Sequence, residues 1–425
     1  GYVYIEGDKI VDVGSLEEAR GLTADRVVDA RGKAVLPGFV NTHTHLYQCF
    51  LRGLNDEDSL SEWCNKVLFP FYKCVNSLES NVRREVFYWA ALLGCVEAVK
   101  SGTTTLVDME SFSRGVLKAV VDSGVRFVYA SVLADTWIPE WLTPSIDEIR
   151  RRVKRAYSEC SREDRVSFML GPSAPFVCSK KLLEECVGWA EEYNVGIEIH
   201  VAETAWEVEH VKKQFGLRPL EYLESIGVLN VKPLVAVHCV WLSNQEKKLL
   251  AERKVGVSHN PESNMKLASG ICPVPELLKL GVKIGLATDG CASNDNLDMI
   301  EEMRSAALIH KVASLRASEI SAWDVLEMAT VNGARILGLN EIGTLEPGKK
   351  ADITIIDLRK PHLQPVYNIV KTLVYCARGS DVDTVIVNGE IIVERGRLTR
   401  ISEEKVLLRV SKIVENSGLK EVWAT

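Results

Sequence analysis

The sequence predicts an α/β protein: a (β/α)8 TIM-like barrel with a small composite β-sandwich formed by both chain ends. Three observations carry that expectation. Strand-like and helix-like runs alternate through the middle of the chain. The two ends share a different, β-rich texture, and several histidines fall at the C-terminal ends of separate strand-like runs. The bounds expected are 1–36 for the first part of the sandwich and 37–342 for the barrel. Residues 343–425 supply the rest of the sandwich and a closing helix.

The 425 residues are 46% hydrophobic and 26% charged, with 51 basic against 58 acidic side chains and a net charge of −7. Such apolar content buries a large core and excludes disorder as the main state. The acidic balance argues against a nucleic-acid binder, which gains affinity by neutralising phosphates. No apolar run reaches the roughly 18 residues of a membrane span. The eleven cysteines are scattered and never spaced C-x-x-C, which fits reduced, mostly buried thiols rather than a disulfide framework.

Taken in order, residues 1–36 read as short strands at 3–5, at 10–13 after the Gly7-Asp8 turn signal, and at 27–29. The alternation over 1–14 marks a hairpin rather than a signal peptide. A start at Gly1 instead of Met suggests residues upstream, and a cytoplasmic address follows by default. Eight strand-like runs come next, at 35–42, 103–108, 125–133, 165–171, 195–201, 234–239, 255–259 and 282–288. Helical segments between them include 80–100, 145–160, 179–193, 243–253 and 295–312, several opening on a Ser or Asp suited to cap them. Parallel pairing is required, and a closed barrel satisfies every edge, an open doubly wound sheet being the competitor. The β texture returns after Ile342, with Asn388-Gly389 between apolar runs as a hairpin turn. Residues 402–418 have helical periodicity.

Polar residues decide between barrel and open sheet. The first run ends in His43-Thr44-His45, the fifth in His200, the sixth in His238 and the eighth in Asp289. In a barrel these ends share one face, where active sites of this fold sit. Residues i and i+2 of a strand point the same way, so His43 and His45 can reach one ion. Imidazoles with a carboxylate suit Zn2+ or Fe2+. Glu203, three residues past His200, falls within reach of water at such an ion and suits proton transfer. His259 also ends a strand-like run and is expected to line the pocket without binding metal. His210, His310 and His362 read as surface or packing residues.

These stretches resemble the amidohydrolase superfamily, in the branch of methylthioadenosine/S-adenosylhomocysteine deaminases, guanine deaminases and triazine hydrolases. The similarity lies in Leu36-Pro-Gly-Phe-Val-Asn-Thr-His-Thr-His45 and its continuation to Gly53, His200-Val-Ala-Glu-Thr204 and Val237-His238. It continues in 258–270, in Thr288-Asp-Gly-Cys-Ala-Ser-Asn294 and in Gly343-Thr-Leu-Glu-Pro-Gly-Lys-Lys-Ala-Asp352. The resemblance implies one divalent ion per chain, Zn2+ with Fe2+ as the alternative, on His43, His45, His200 and Asp289. It makes Glu203 the proton shuttle and has His238, with Asp289, orient the water or substrate. Two-metal members bridge their ions with a lysine after the fourth strand. Here that strand ends Leu170-Gly171-Pro172-Ser173, so one metal is expected. The H-x-E and P-C-x-x-C pair of cytidine-type deaminases is absent.

The implied reaction is hydrolytic deamination of a purine-like heterocycle or an adenosine-type nucleoside, such as S-adenosylhomocysteine or methylthioadenosine. Guanine-type or pterin deamination and triazine chlorohydrolysis are alternatives on the same site. A non-catalytic barrel scaffold is the alternative from another class. The resemblance weakens around the substrate. Ser173 stands where adenosine-type deaminases place a histidine, and Tyr72 stands where they place a ribose-binding glutamate. Gln48, Trp63, Tyr72 and Ser173 are the candidate substrate contacts. The basic run Arg150-Arg-Arg-Val-Lys-Arg155 reads as the solvated face of a helix. A homodimer or larger closed assembly is expected.

Overall fold

The computed structural model describes residues 1–423. Strands β1 (Tyr2–Glu6) and β2 (Lys9–Gly14) form an antiparallel hairpin, and β3 (Lys33–Pro37) leaves it for a second sheet. The barrel strands follow: β4 (Phe39–Thr44), β5 (Thr103–Glu110), β6 (Arg126–Leu133) and β7 (Val166–Pro172). They continue as β8 (Gly196–Val201), β9 (Leu234–His238), β10 (Gly256–His259) and β11 (Ile284–Leu286). The chain returns through β12 (Ile353–Asp357), β13 (Val382–Val387), β14 (Glu390–Glu394) and β15 (Arg397–Leu398), then a helix over Glu403–Asn416.

The eight strands pair in parallel in sequence order, β4 to β11, with helices on the outside of each crossover. Valines, methionine and alanine of alternating parity (Val40, Val107, Met109, Val128, Ala130, Val235, Val237) form one apolar cluster that fills the barrel. The opposite faces pack on the helices in a larger core. Polar groups close the ring between β4 and β11. Thr42 Oγ1 donates to the Leu286 carbonyl at 3.1 Å, Asn41 Nδ2 to Thr288 Oγ1 at 2.8 Å, and the Asp289 amide to the His43 carbonyl at 3.1 Å.

Chain ends meet in the five-stranded order β15-β14-β13-β12-β3. The hairpin lies against it, burying Ile10 with Ala351, Ile353, Ile355 and Ile386. A buried ion pair ties this sheet to the barrel: Arg126 donates to Asp352 at 2.7 and 3.0 Å, and Asn388 joins both.

Three local expectations differ. Residues 27–29 form no strand, because the Asp29 carboxylate accepts from the Arg31 amide and turns the chain there. The helix expected from 295 begins at Met299. Asp295 adopts φ 77° and the Asp298 carboxylate caps the helix by accepting from Ile300. The last barrel strand is short, Ile284–Leu286. The cysteines are all free, and most are buried. Among the described residues no helix is long and apolar enough to cross a membrane.

Candidate active site

The C-terminal ends of β4, β8 and β9 and the turn after β11 deliver His43, His45, His200, His238 and Asp289 to one place. Register brings the middle pair together: His200 faces Val237 and Val201 faces His238 across the β8–β9 ladder. Several of these strands end on a sharp bend. Ala202, His238, Cys239 and Asp289 hold positive φ of 51–70°, a left-handed conformation costing such residues about 1–3 kcal/mol each. Such strain clusters where function demands an awkward side-chain direction.

Ligand atoms of His43, His45 and Asp289, and likewise of His43, His200 and His238, lie within 4.8 Å of one another. His43 Nε2 is 3.1 Å from His200 Nε2 and 3.5 Å from Asp289 Oδ1, which is also 3.5 Å from His45 Nε2. The opposite ring nitrogens are engaged behind. Nδ1 of His43 meets Glu198 Oε1 at 3.0 Å, that of His45 the Met109 carbonyl at 2.7 Å, and that of His200 the Ser173 carbonyl at 2.6 Å. With Nδ1 donating in each case, the Nε2 lone pairs of His43 and His45 meet the Asp289 carboxylate and that of His200 lies beside His43, a donor chemistry that fits a divalent ion.

Electrostatics agree with that fit. Burial opposes charge on His43, yet the Glu198 and Asp289 carboxylates push it up to about 10. Burial and the neighbouring His43 push His45 down to about 4, and the same two causes hold His200 well below the usual imidazole range. Burial alone would raise the Asp289 carboxyl, but His43, His45 and His238 outweigh it and hold it well below the carboxylate range. Two buried carboxylates thus call for positive charge at this point. A divalent ion would meet that demand and leave every imidazole neutral.

Glu203 is 5% exposed, with Oε2 3.6 Å from His238 Nε2 and Oε1 accepting from Ser269 at 3.2 Å. Burial raises its carboxyl above the usual value, the direction a proton-transfer group at neutral pH requires. Glu207 holds the bend, accepting from the Ala202 and Glu203 amides at 2.8 Å each. His238 Nδ1 meets Asn264 Oδ1 at 2.9 Å.

A cavity of about 1200 Å3 opens over this floor. Gln48, Trp63, Tyr72 and Ser173 all line it. Gln48 Oε1 accepts from the Ala292 amide at 3.3 Å, and Gly290 must lack a side chain because a Cβ there would sit 1.9 Å from that oxygen. Tyr72 donates to buried Glu110 at 3.1 Å. His259 does not line the cavity. Its Nε2 lies 3.1 Å from that of His310, both rings buried, while His362 pairs with Asp381 at 2.8 Å. His210 stacks on Trp206.

Glu198 was not among the candidates. An acid two residues before His200, inside an otherwise apolar strand, was the available signal: i and i+2 share a face, and a buried carboxylate needs a partner.

Residues 34–392 match the amidohydrolase family. The chain is 43% identical over 412 residues to the 5′-deoxyadenosine deaminase of Methanothermobacter thermautotrophicus, covering 97% of this chain and 93% of that protein. It is 40% identical over 413 residues to the 5-methylthioadenosine/S-adenosylhomocysteine deaminase of Pelotomaculum thermopropionicum, covering 97% and 93%. An adenosine deaminase from Xanthomonas campestris, solved with bound zinc, superposes with a TM-score of 0.92 at 31% identity, over 98% of this chain and 93% of the other. The chain belongs to the amidohydrolase family and is a hydrolytic deaminase.

Proposed function

We propose that the protein deaminates an adenosine-type nucleoside at C6, using one Zn2+ held by His43, His45, His200 and Asp289. The observation that carries this is the clustering of those donors in two triads that share His43, beside a buried Glu203. The names of the similar deaminases support the nucleoside over a free base or a triazine ring.

When bound, the ion supplies Lewis acidity that makes water nucleophilic at neutral pH. The protein groups do the rest. Glu203 takes a proton from the attacking water and delivers it to the ring nitrogen next to C6, so charge does not build on the ring as the carbon becomes tetrahedral. His238 and Asp289 fix the direction of attack. The C6–N bond then breaks, the amine leaves as ammonia with the remaining water proton, and the ring becomes a lactam. Gln48, Trp63, Tyr72 and Ser173 hold the nucleoside and exclude bulk water. Tyr72, donating to Glu110, offers a neutral hydroxyl to the sugar.

Ammonia release from a panel of adenosine, 5′-deoxyadenosine, 5-methylthioadenosine, guanine, a pterin and a triazine tests the assignment. Turnover confined to guanine, pterin or triazine would overturn it. The proposed working form is a cytoplasmic homodimer or larger closed assembly, with large apolar side chains such as Leu315, Trp323 and Tyr367 exposed on each subunit. Light scattering showing a monomer at micromolar concentration would remove the assembly.

A further inference from the structure

The cleft is larger than a nucleoside needs: about 1200 Å3, against roughly 300–1,000 Å3 for pockets that enclose drug-sized ligands. Its lining extends from His45, His200 and Glu203 to the N-terminal half of the helix Ser80–Lys100 and the segments after β5 and β6. One end is imidazole and carboxylate; the other is basic.

Arg83, Arg84, Arg114, Arg152 and Arg155 all line that far end. Glu159 accepts from both Arg114 (2.7 and 2.8 Å) and Arg155 (3.0 Å), and Glu148 pairs with Arg152. Five guanidinium charges less these two carboxylates leave a surplus of three. Among the described residues Arg83 makes only long contacts, to Asn76 Oδ1 at 3.5 Å and the Leu78 carbonyl at 3.4 Å, and its buried Nε has no partner. Ser113 and Arg114 line the same end as the cap and first residue of the helix Arg114–Ser123, where Ser113 Oγ accepts from the Gly115 amide and the helix dipole favours an anion. The basic run 150–155 is therefore not wholly a solvated face. Arg150 turns away to Glu185 and Trp189, while Arg152 and Arg155 reach the cleft.

We infer that the substrate is an adenosine carrying a phosphoryl group at its 5′ end, with the base over Glu203 and the phosphoryl among the arginines. This rests on the adenosine-type assignment above. Guanidinium forks beside hydroxyls and a helix start are the donor set that phosphate oxygens match. An amino-acid tail brings its own ammonium and so carries no net charge, leaving the surplus of three unanswered. A phosphoryl group brings about −1.5 to −2.

The test is ammonia release from adenosine 5′-monophosphate, adenosine and S-adenosylhomocysteine, for the zinc-loaded wild type and for Arg83→Gln/Arg84→Gln. The wild type should show a kcat/KM for adenosine 5′-monophosphate at least about tenfold above adenosine, mostly through KM, and falling with added salt; charged hydrogen bonds are strong enough for that. The double variant should cost the monophosphate about tenfold more than it costs adenosine. Adenosine is the internal control for folding and for the catalytic floor. Equal use of the two substrates, or equal losses on both, overturns the inference. S-adenosylhomocysteine preferred with the same arginine dependence would reassign the basic end to a carboxylate and also overturn it. Inactivity towards all three defeats the adenosine assignment itself, a distinct result.

Discussion

Glu198 is the perturbation whose size the structure sets most directly. Its carboxylate and the His43 ring are both fully buried, 3.0 Å apart, so Glu198→Ala leaves the His43 Nδ1 without its acceptor and frees the ring to take the wrong tautomer. It also removes one of the two negative charges that call for a cation here. Carboxylates behind metal-binding histidines are worth about 10–100-fold in metal affinity, or about 1.4–2.8 kcal/mol. Glu198→Gln keeps an acceptor oxygen but not the charge, so it should fall at the lower end. Zinc titration against a competing chromophoric chelator measures both variants without any turnover. An alanine variant binding zinc within twofold of wild type would refute the reasoning, as would a glutamine variant weaker than the alanine one.

Three further outcomes are expected. Glu203→Gln should cut kcat by about 10²–10⁴-fold, the usual worth of a general acid–base, while metal content stays near one per chain by elemental analysis; an active Gln variant removes the proposed shuttle. Arg126→Met leaves Asp352 buried opposite an apolar chain and should cost about 3–5 kcal/mol of stability, read by urea unfolding and absent if the ion pair is dispensable. His310 is buried against His259, and burial pushes it down to about 4 from 6.5. Between those pH values the unfolded chain binds the extra proton, so stability is complete above pH 6.5 and declines towards pH 4, by about 3 kcal/mol from this group. Urea midpoints for wild type and His310→Gln from pH 7 to 4 should diverge accordingly, and parallel curves would show that His310 contributes nothing.

The fold class was legible because a parallel barrel writes each strand as a short apolar run and each crossover as an amphipathic helix. Boundaries were less so: residues 27–29 look like a strand until one sees that Asp29 accepts from Arg31. In the site, His43 and His45 announce themselves by a spacing of two, and His200, His238 and Asp289 by their place at strand ends. Glu198 and Glu110 did not, since a lone acid inside a strand run declares neither its direction nor its partner before the ladder register is known. The arginine-lined end of the cleft was hidden for a different reason. Arg83, Arg84, Arg114 and Arg152 come from three helices that only the barrel brings together, and within the run 150–155 helical periodicity alone cannot say which side faces the cleft.

The seam of the barrel links stability to chemistry. β4 and β11 are joined not by a regular ladder but by Asn41, Thr42 and Thr288 and by the amide of Asp289 donating to the carbonyl of His43. Two of the proposed metal ligands therefore belong to the last closing bond of the fold. A polar seam buried inside the protein tolerates no missing partner, so Asp289 is held in its left-handed bend by the same contacts that complete the ring. The converse also follows. A divalent ion held by His43 and Asp289 would join the first and last strands, so metal should stabilise this protein, and its removal should loosen the β4–β11 edge before any other part of the sheet.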